Sequence, residues 1–99
     1  KAFFDENWAF PSPVQPSTDG LSLQPYAGTL TVGGELNKLA SNIGLARNMC
    51  GDHWRSDTTQ SLRLGEAIAL KVLTEQAVTF NEPQAGMSLT RFDGTTVTV

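Results

Sequence analysis

The residues able to do chemistry crowd into one stretch, Arg47-Asn48-Met49-Cys50-Gly51-Asp52-His53-Trp54-Arg55-Ser56-Asp57, where the single histidine stands six residues after an arginine and four before an aspartate. A guanidinium fork matches two oxygens of a tetrahedral or bipyramidal oxyanion, while a neutral imidazole nitrogen can bond to the central atom. The second ring nitrogen then needs an acceptor to fix tautomer and basicity. Asp57 is the nearest carboxylate beyond the turn, and Asp52 competes for that role. Taken as composition alone, a lone histidine beside a helix end is more often a capping or surface residue, so the reading depends on whether the elements make these groups converge.

Geometry restricts how they can. On one continuous helix the six residues from Arg47 to His53 amount to roughly 240° of rotation, which points the two side chains at different ligands. A break at Gly51 removes the obstacle. Arg47 then projects from the last turns of a first helix and His53 from a connecting loop, and a second helix aims its N-terminal amides at the same point. Leu36, Leu39, Ala40, Ile43 and Ala46 supply the helical period of the first element, from about Gly34 to Asn48 or Met49, with Glu35 in its first turn. Ser56 or Asp57 is the expected N-cap of the second. Leu62, Ala69, Leu70, Leu73 and Ala77 line one side of that helix, and Leu64, Ile68 and Val72 widen the stripe, so most of its circumference is expected to be buried in a bundle.

The flanks differ. Residues 1–34 carry Pro11, Pro13, Pro16 and Pro25 and are expected to form an irregular connection, with Phe3, Phe4, Trp8 and Phe10 packed against a body only partly present in this chain. After Pro83 and Gly86, the runs Ser88–Phe92 and Thr95–Val99 around Asp93-Gly94 predict a β-hairpin with a type I′ turn. The fold class expected is therefore mainly α: an irregular segment over 1–34, a helical pair over 35–80 and a hairpin over 87–99. Two helices and a hairpin cannot bury this many apolar side chains by themselves, and Lys1-Ala2-Phe3-Phe4 resembles neither an initiator sequence nor a signal peptide, so a longer polypeptide is expected.

Composition narrows the function classes. The 99 residues are 39% apolar and 17% charged, with net charge -3, and the seven Lys and Arg are scattered, which argues against a nucleic-acid footprint. No apolar run reaches the roughly 20 residues of a membrane-crossing helix. Cys50 has no partner for an internal disulfide and is expected to be a small buried hydrophobe, and Met49 and Trp54 are expected in the core. Arg55, Arg63, Glu66, Lys71 and Glu75 read as a solvated or intersubunit charge face, and Ser56, Thr58 and Thr59 as caps, not nucleophiles, since no base but His53 stands beside them.

The spacing Arg47-x3-Gly51-x-His53-x3-Asp57 resembles the last signature motif shared by vanadium haloperoxidases and the acid phosphatases related to phosphatidic-acid phosphatase. The stretches Gly34-Glu35-Leu36-Asn37-Lys38-Leu39-Ala40 and Leu62-Arg63-Leu64-Gly65-Glu66-Ala67-Ile68, with the closing Phe92-Asp93-Gly94-Thr95, are similar to the bromoperoxidases of algae and their bacterial relatives; the likeness covers about residues 20–99. It implies that the chain is the C-terminal part of one larger haloperoxidase domain, a helical bundle with vanadate as cofactor. His53 would bond axially to vanadium, Arg47 would neutralise equatorial oxygens, Gly51 would allow close packing at the turn, and Asp57 would support His53. The activity implied is oxidation of halide, bromide by this likeness, with hydrogen peroxide to a hypohalous acid equivalent. The partners implied are the remaining N-terminal portion, which holds a lysine and arginine motif and a Ser-Gly-His motif, together with peroxide, halide and other copies in a homo-oligomer. The setting implied is secreted, periplasmic or cell-wall. The relatives usually carry an aliphatic residue where this chain has Asp52, whose charge is expected to point outward or pair with Arg55. Two alternatives stay open: a phosphatase using His53 as nucleophile, and a non-catalytic packing segment.

Overall fold

The structure is a computed structural model that describes residues 1–83 and 85–99. In chain order it holds β1 (Val14–Pro16), β2 (Leu23–Pro25), α1 (Val32–Met49), α2 (Arg55–Ala77), β3 (Ser88–Thr90) and β4 (Thr96–Thr98). Two helices and two small antiparallel sheets make up the architecture, β1 pairing with β2 and β3 with β4.

The N-terminal region contains more regular structure than an irregular connection. Strands β1 and β2 pair with Val14 opposite Pro25 and Pro16 opposite Leu23. Both prolines are tolerated because a two-stranded ribbon has edges on both sides, where a missing N–H costs no ladder bond. Residues 6–10 then run antiparallel beside 30–33: Phe10 N–H donates to Leu30 O at 2.9 Å, Val32 N–H to Trp8 O at 3.1 Å and Gly33 N–H to Glu6 O at 2.9 Å. This pairing explains how a proline-rich segment is ordered without a core of its own.

Helix α1 begins at Val32, earlier than the residue-35 boundary, because Thr31 is an extended N-cap whose Oγ1 accepts from Gly34 N–H at 3.1 Å. Glu35 in the first turn and Arg47 in the last complement the helix dipole. Helix α2 also begins earlier than Ser56 or Asp57. Its N-cap is Trp54, and the Asp57 carboxylate reaches back to accept from the Trp54 N–H at 3.0 Å, so Asp57 caps from inside the first turn.

Burial is sparse. Met87, 8% exposed, is the only buried apolar side chain among the described residues. On α2, Thr58, Leu62, Glu66, Leu70, Leu73 and Ala77 form one half-buried stripe, whereas Leu64 and Ile68 are 63% and 55% exposed; the described residues therefore cover one side of this helix and leave the rest of its circumference open. Met49 and Trp54 are not core residues: at 88% and 81% exposed they flank the turn, and no described element packs over them. Cys50 is exposed too, since it is the C-cap of α1.

The closing hairpin forms with a different turn from the type I′ expected. Gly94 N–H donates to Arg91 O at 3.1 Å and Arg91 N–H to Thr95 O at 2.8 Å, which makes a three-residue loop. Gly94 alone is left-handed, at φ 85°, while the Asp93 carboxylate accepts from both the N–H and the hydroxyl of Thr95. A right-handed turn followed by one glycine bulge fits these contacts, and a type I′ turn would need positive φ at Asp93 as well. Two carboxylates fasten this hairpin. Glu6 accepts from the N–H of Thr90 at 2.8 Å and from its hydroxyl, and Lys1 Nζ donates to Thr90 O at 2.8 Å. Glu66 accepts from Phe92 N–H at 2.6 Å and pairs with Arg91 at 3.3 Å, so this member of the charge face expected to be solvated or intersubunit is mostly buried and structural.

Candidate functional site

The site is built on the ending of α1. Gly51 N–H donates to Asn48 O at 3.1 Å and Asp52 N–H donates to Arg47 O at 3.2 Å, the paired bonds of a Schellman ending. That ending requires a left-handed residue just past the C-cap, and Gly51 has φ 81°. Among the described residues no atom lies within 4 Å of a Cβ built on Gly51, so within this chain the glycine serves backbone conformation.

The reversal lays the start of α2 against the end of α1. The crossing is tightest at Gly44, where a Cβ would lie 2.5 Å from Thr58 Cγ2, and Thr58 Oγ1 donates to Asn48 Oδ1 at 2.8 Å. Gly44, Asn48 and Thr58 thus set how the two helices meet, and sequence reasoning did not identify them as a group. The available signal was a glycine inside a helical period, which usually needs a packing reason; nothing local marks Asn48 and Thr58 as partners.

Between the helices lies a cleft of about 220 Å³ to which Arg47, His53 and Asp57 all contribute, with Ile43, Gly44 and Leu62 among its apolar walls. The break at Gly51 thus leaves Arg47 and His53, from opposite sides of the turn, lining one cleft. His53 Nδ1 and Asp57 Oδ2 are 3.9 Å apart, an ion-pair separation too long for a hydrogen bond, and the same carboxylate oxygen is engaged by the Trp54 amide. Asp52 does not pair with Arg55; its Oδ2 lies 3.8 Å from Arg47 Nη2, drawn there because the Schellman bond holds its backbone against Arg47.

Among the described residues no three His, Cys, Asp or Glu side chains gather as a cation site. The cleft's polar and charged lining residues are Arg47, His53, Asp57, Thr58 and Ser61. Such a donor set suits an oxyanion whose oxygens take hydrogen bonds and whose central atom takes a nitrogen.

No protein-family model matches the chain. Curated proteins do. The vanadium-dependent bromoperoxidases of Corallina officinalis and Corallina pilulifera are each 46% identical to it over 101 aligned residues, covering 100% of this chain. The vanadium-dependent bromoperoxidase of Ascophyllum nodosum is 46% identical over 74 residues, or 74% of the chain. The chain spans 17% of the length of the two Corallina proteins.

Proposed function

We propose that this chain, kin over its whole length to the vanadium-dependent bromoperoxidases, supplies one wall of the vanadate site in an enzyme that oxidises halide with hydrogen peroxide to a hypohalous acid equivalent. Bromide is the halide that the kinship favours. The observation carrying the reading is that Arg47 and His53, separated by a helix break, line the same cleft.

Each residue has a task that its position permits. With Nδ1 of His53 on the side of Asp57, Nε2 is the nitrogen left to ligate the central atom. Arg47 binds the anion's oxygens and balances their charge, and Gly51 makes the reversal that lets both reach them. Asp57 keeps the first turn of α2 in place through the Trp54 amide and stands within Coulomb reach of the imidazole. Vanadate held there would supply Lewis-acid activation of peroxide toward halide. The remaining cationic and acid-base groups belong, on this reading, to other parts of one larger helical-bundle domain. The exposed faces of α2 are covered there by further helices or by other copies in a homo-oligomer.

Replacing His53 by Ala in the complete protein tests the assignment. We expect loss of vanadate retention on dialysis and loss of bromination of a phenolic dye, with the helical circular-dichroism signal kept. Retained vanadium with full activity would defeat it. Hydrolysis of an aryl phosphate without dye bromination by the parent protein would replace the peroxidase reading by a phosphatase that uses the same pocket.

A further inference from the structure

We infer, on the reading of the cleft as an oxyanion site, that Asp52 is a built-in competitor for the Arg47 guanidinium and sets how weakly the site holds its anion. Arg47 and Asp52 occupy the two ends of the longer Schellman bond, Asp52 N–H to Arg47 O at 3.2 Å, so their proximity is imposed by the turn. The side chains follow the backbone: Oδ2 lies 3.8 Å from Nη2. That distance is Coulombic contact without a hydrogen bond, so the carboxylate offsets the positive charge of the guanidinium without clamping its orientation. Arg47 lines the cleft and Asp52 does not. An incoming oxyanion thus meets a guanidinium already partly neutralised from behind, and its own charge is repelled by Asp52. Asp52 is the one carboxylate among the described residues within ion-pair distance of Arg47. Both side chains are a little over half exposed, so the effect is modest and screened by salt.

The experiment is equilibrium dialysis of orthovanadate, and separately of inorganic phosphate, against the vanadate-free complete protein. Parent, Asp52→Asn, Arg47→Ala and the double variant are compared at low and high salt. Asp52→Asn keeps the shape and the backbone bond of the turn while removing the charge; Asp52→Ser serves the same end should the first fail to fold. We expect Asp52→Asn to bind both anions roughly two- to fivefold more tightly, the range of an exposed ion pair. The gain should shrink toward nothing near 1 M salt, where the screening length is about 3 Å, and be smaller when Arg47 is already Ala, where only the direct repulsion of the anion by Asp52 remains. Unchanged or weaker binding of either anion by Asp52→Asn overturns the inference, as does an equal gain in the Arg47→Ala background. The oxyanion reading itself fails by a different result, an Arg47→Ala variant that binds vanadate as the parent does.

Discussion

The turn between α1 and α2 and the hairpin that closes the chain are both small polar structures, yet they are held in opposite ways. Every contact that shapes the turn is local: the Schellman bonds, the Asp57 carboxylate on the Trp54 amide, and an Asn48–Thr58 bond that spans ten residues. The hairpin depends on partners far along the chain, Lys1 and Glu6 at sequence separations of 89 and 84 and Glu66 at 26. Local bonds place groups within a few residues of each other at little loop-closure cost, which suits the site proposed for Arg47 and His53. Distant bonds tie the two ends of the chain to each other and the hairpin to the middle of α2, and the hairpin also carries Met87, the only buried apolar side chain among the described residues.

The contrast breaks first at the helix crossing. Gly44→Val forces a side chain against Thr58 Cγ2, and we expect about 3 kcal/mol of destabilisation, the upper range for overpacking, together with loss of vanadate binding as the helices move apart. Hydrogen exchange should rise at residues 48–58 while the hairpin amides keep their protection. Glu66→Ala is the complementary change. It leaves the Phe92 amide and Arg91 without their acceptor, at about 2 kcal/mol for hydrogen bonds to a charged group, and should free the hairpin while vanadate affinity stays near the parent value. If that variant lost vanadate before it lost the hairpin, the two regions would not be separable. A smaller effect is expected at Gly51, where Ala costs about 1 kcal/mol or somewhat more in the left-handed region and Asn less than Ala. Denaturant midpoints of the two variants check that order.

The same contrast governs how much was legible in the sequence. Gly51 as a helix stop, the presence of Arg47 and His53 along one cleft and the placement of both helices followed from local rules, because the signals lie within a turn or two of what they determine. Boundaries shifted where a carboxylate reached backwards: Asp57 caps from the third helical position, which moved the N-cap to Trp54. The first hairpin was missed because its prolines read as breakers, and a two-stranded ribbon tolerates them. The roles of Glu6 and Glu66 were invisible, since nothing near either residue announces a partner elsewhere in the chain. The exposure of Met49, Trp54 and Leu64 marks a further limit: apolar periodicity reports that a face prefers cover, not which polypeptide supplies it.

The smallest expected effect is also the most selective, because it separates charge from shape in the clasp. The hydroxyl of Thr90, then its N–H and the Lys1 ammonium, hold the Glu6 carboxyl below its ordinary value of 4.5, against a smaller opposing effect of burial. A carboxylate that titrates lower in the folded state contributes stability that is fully present above pH 4.5 and is lost as pH falls through the depressed folded value. Glu6→Gln keeps an oxygen for Thr90 but removes the charge, so we expect about 1 kcal/mol lower stability near pH 7. The gap between variant and parent should close as the parent's carboxylate becomes protonated. Denaturant unfolding of the complete protein at a series of pH values checks both parts. A gap that persisted unchanged well below pH 4.5 would mean that Glu6 holds the hairpin by shape alone.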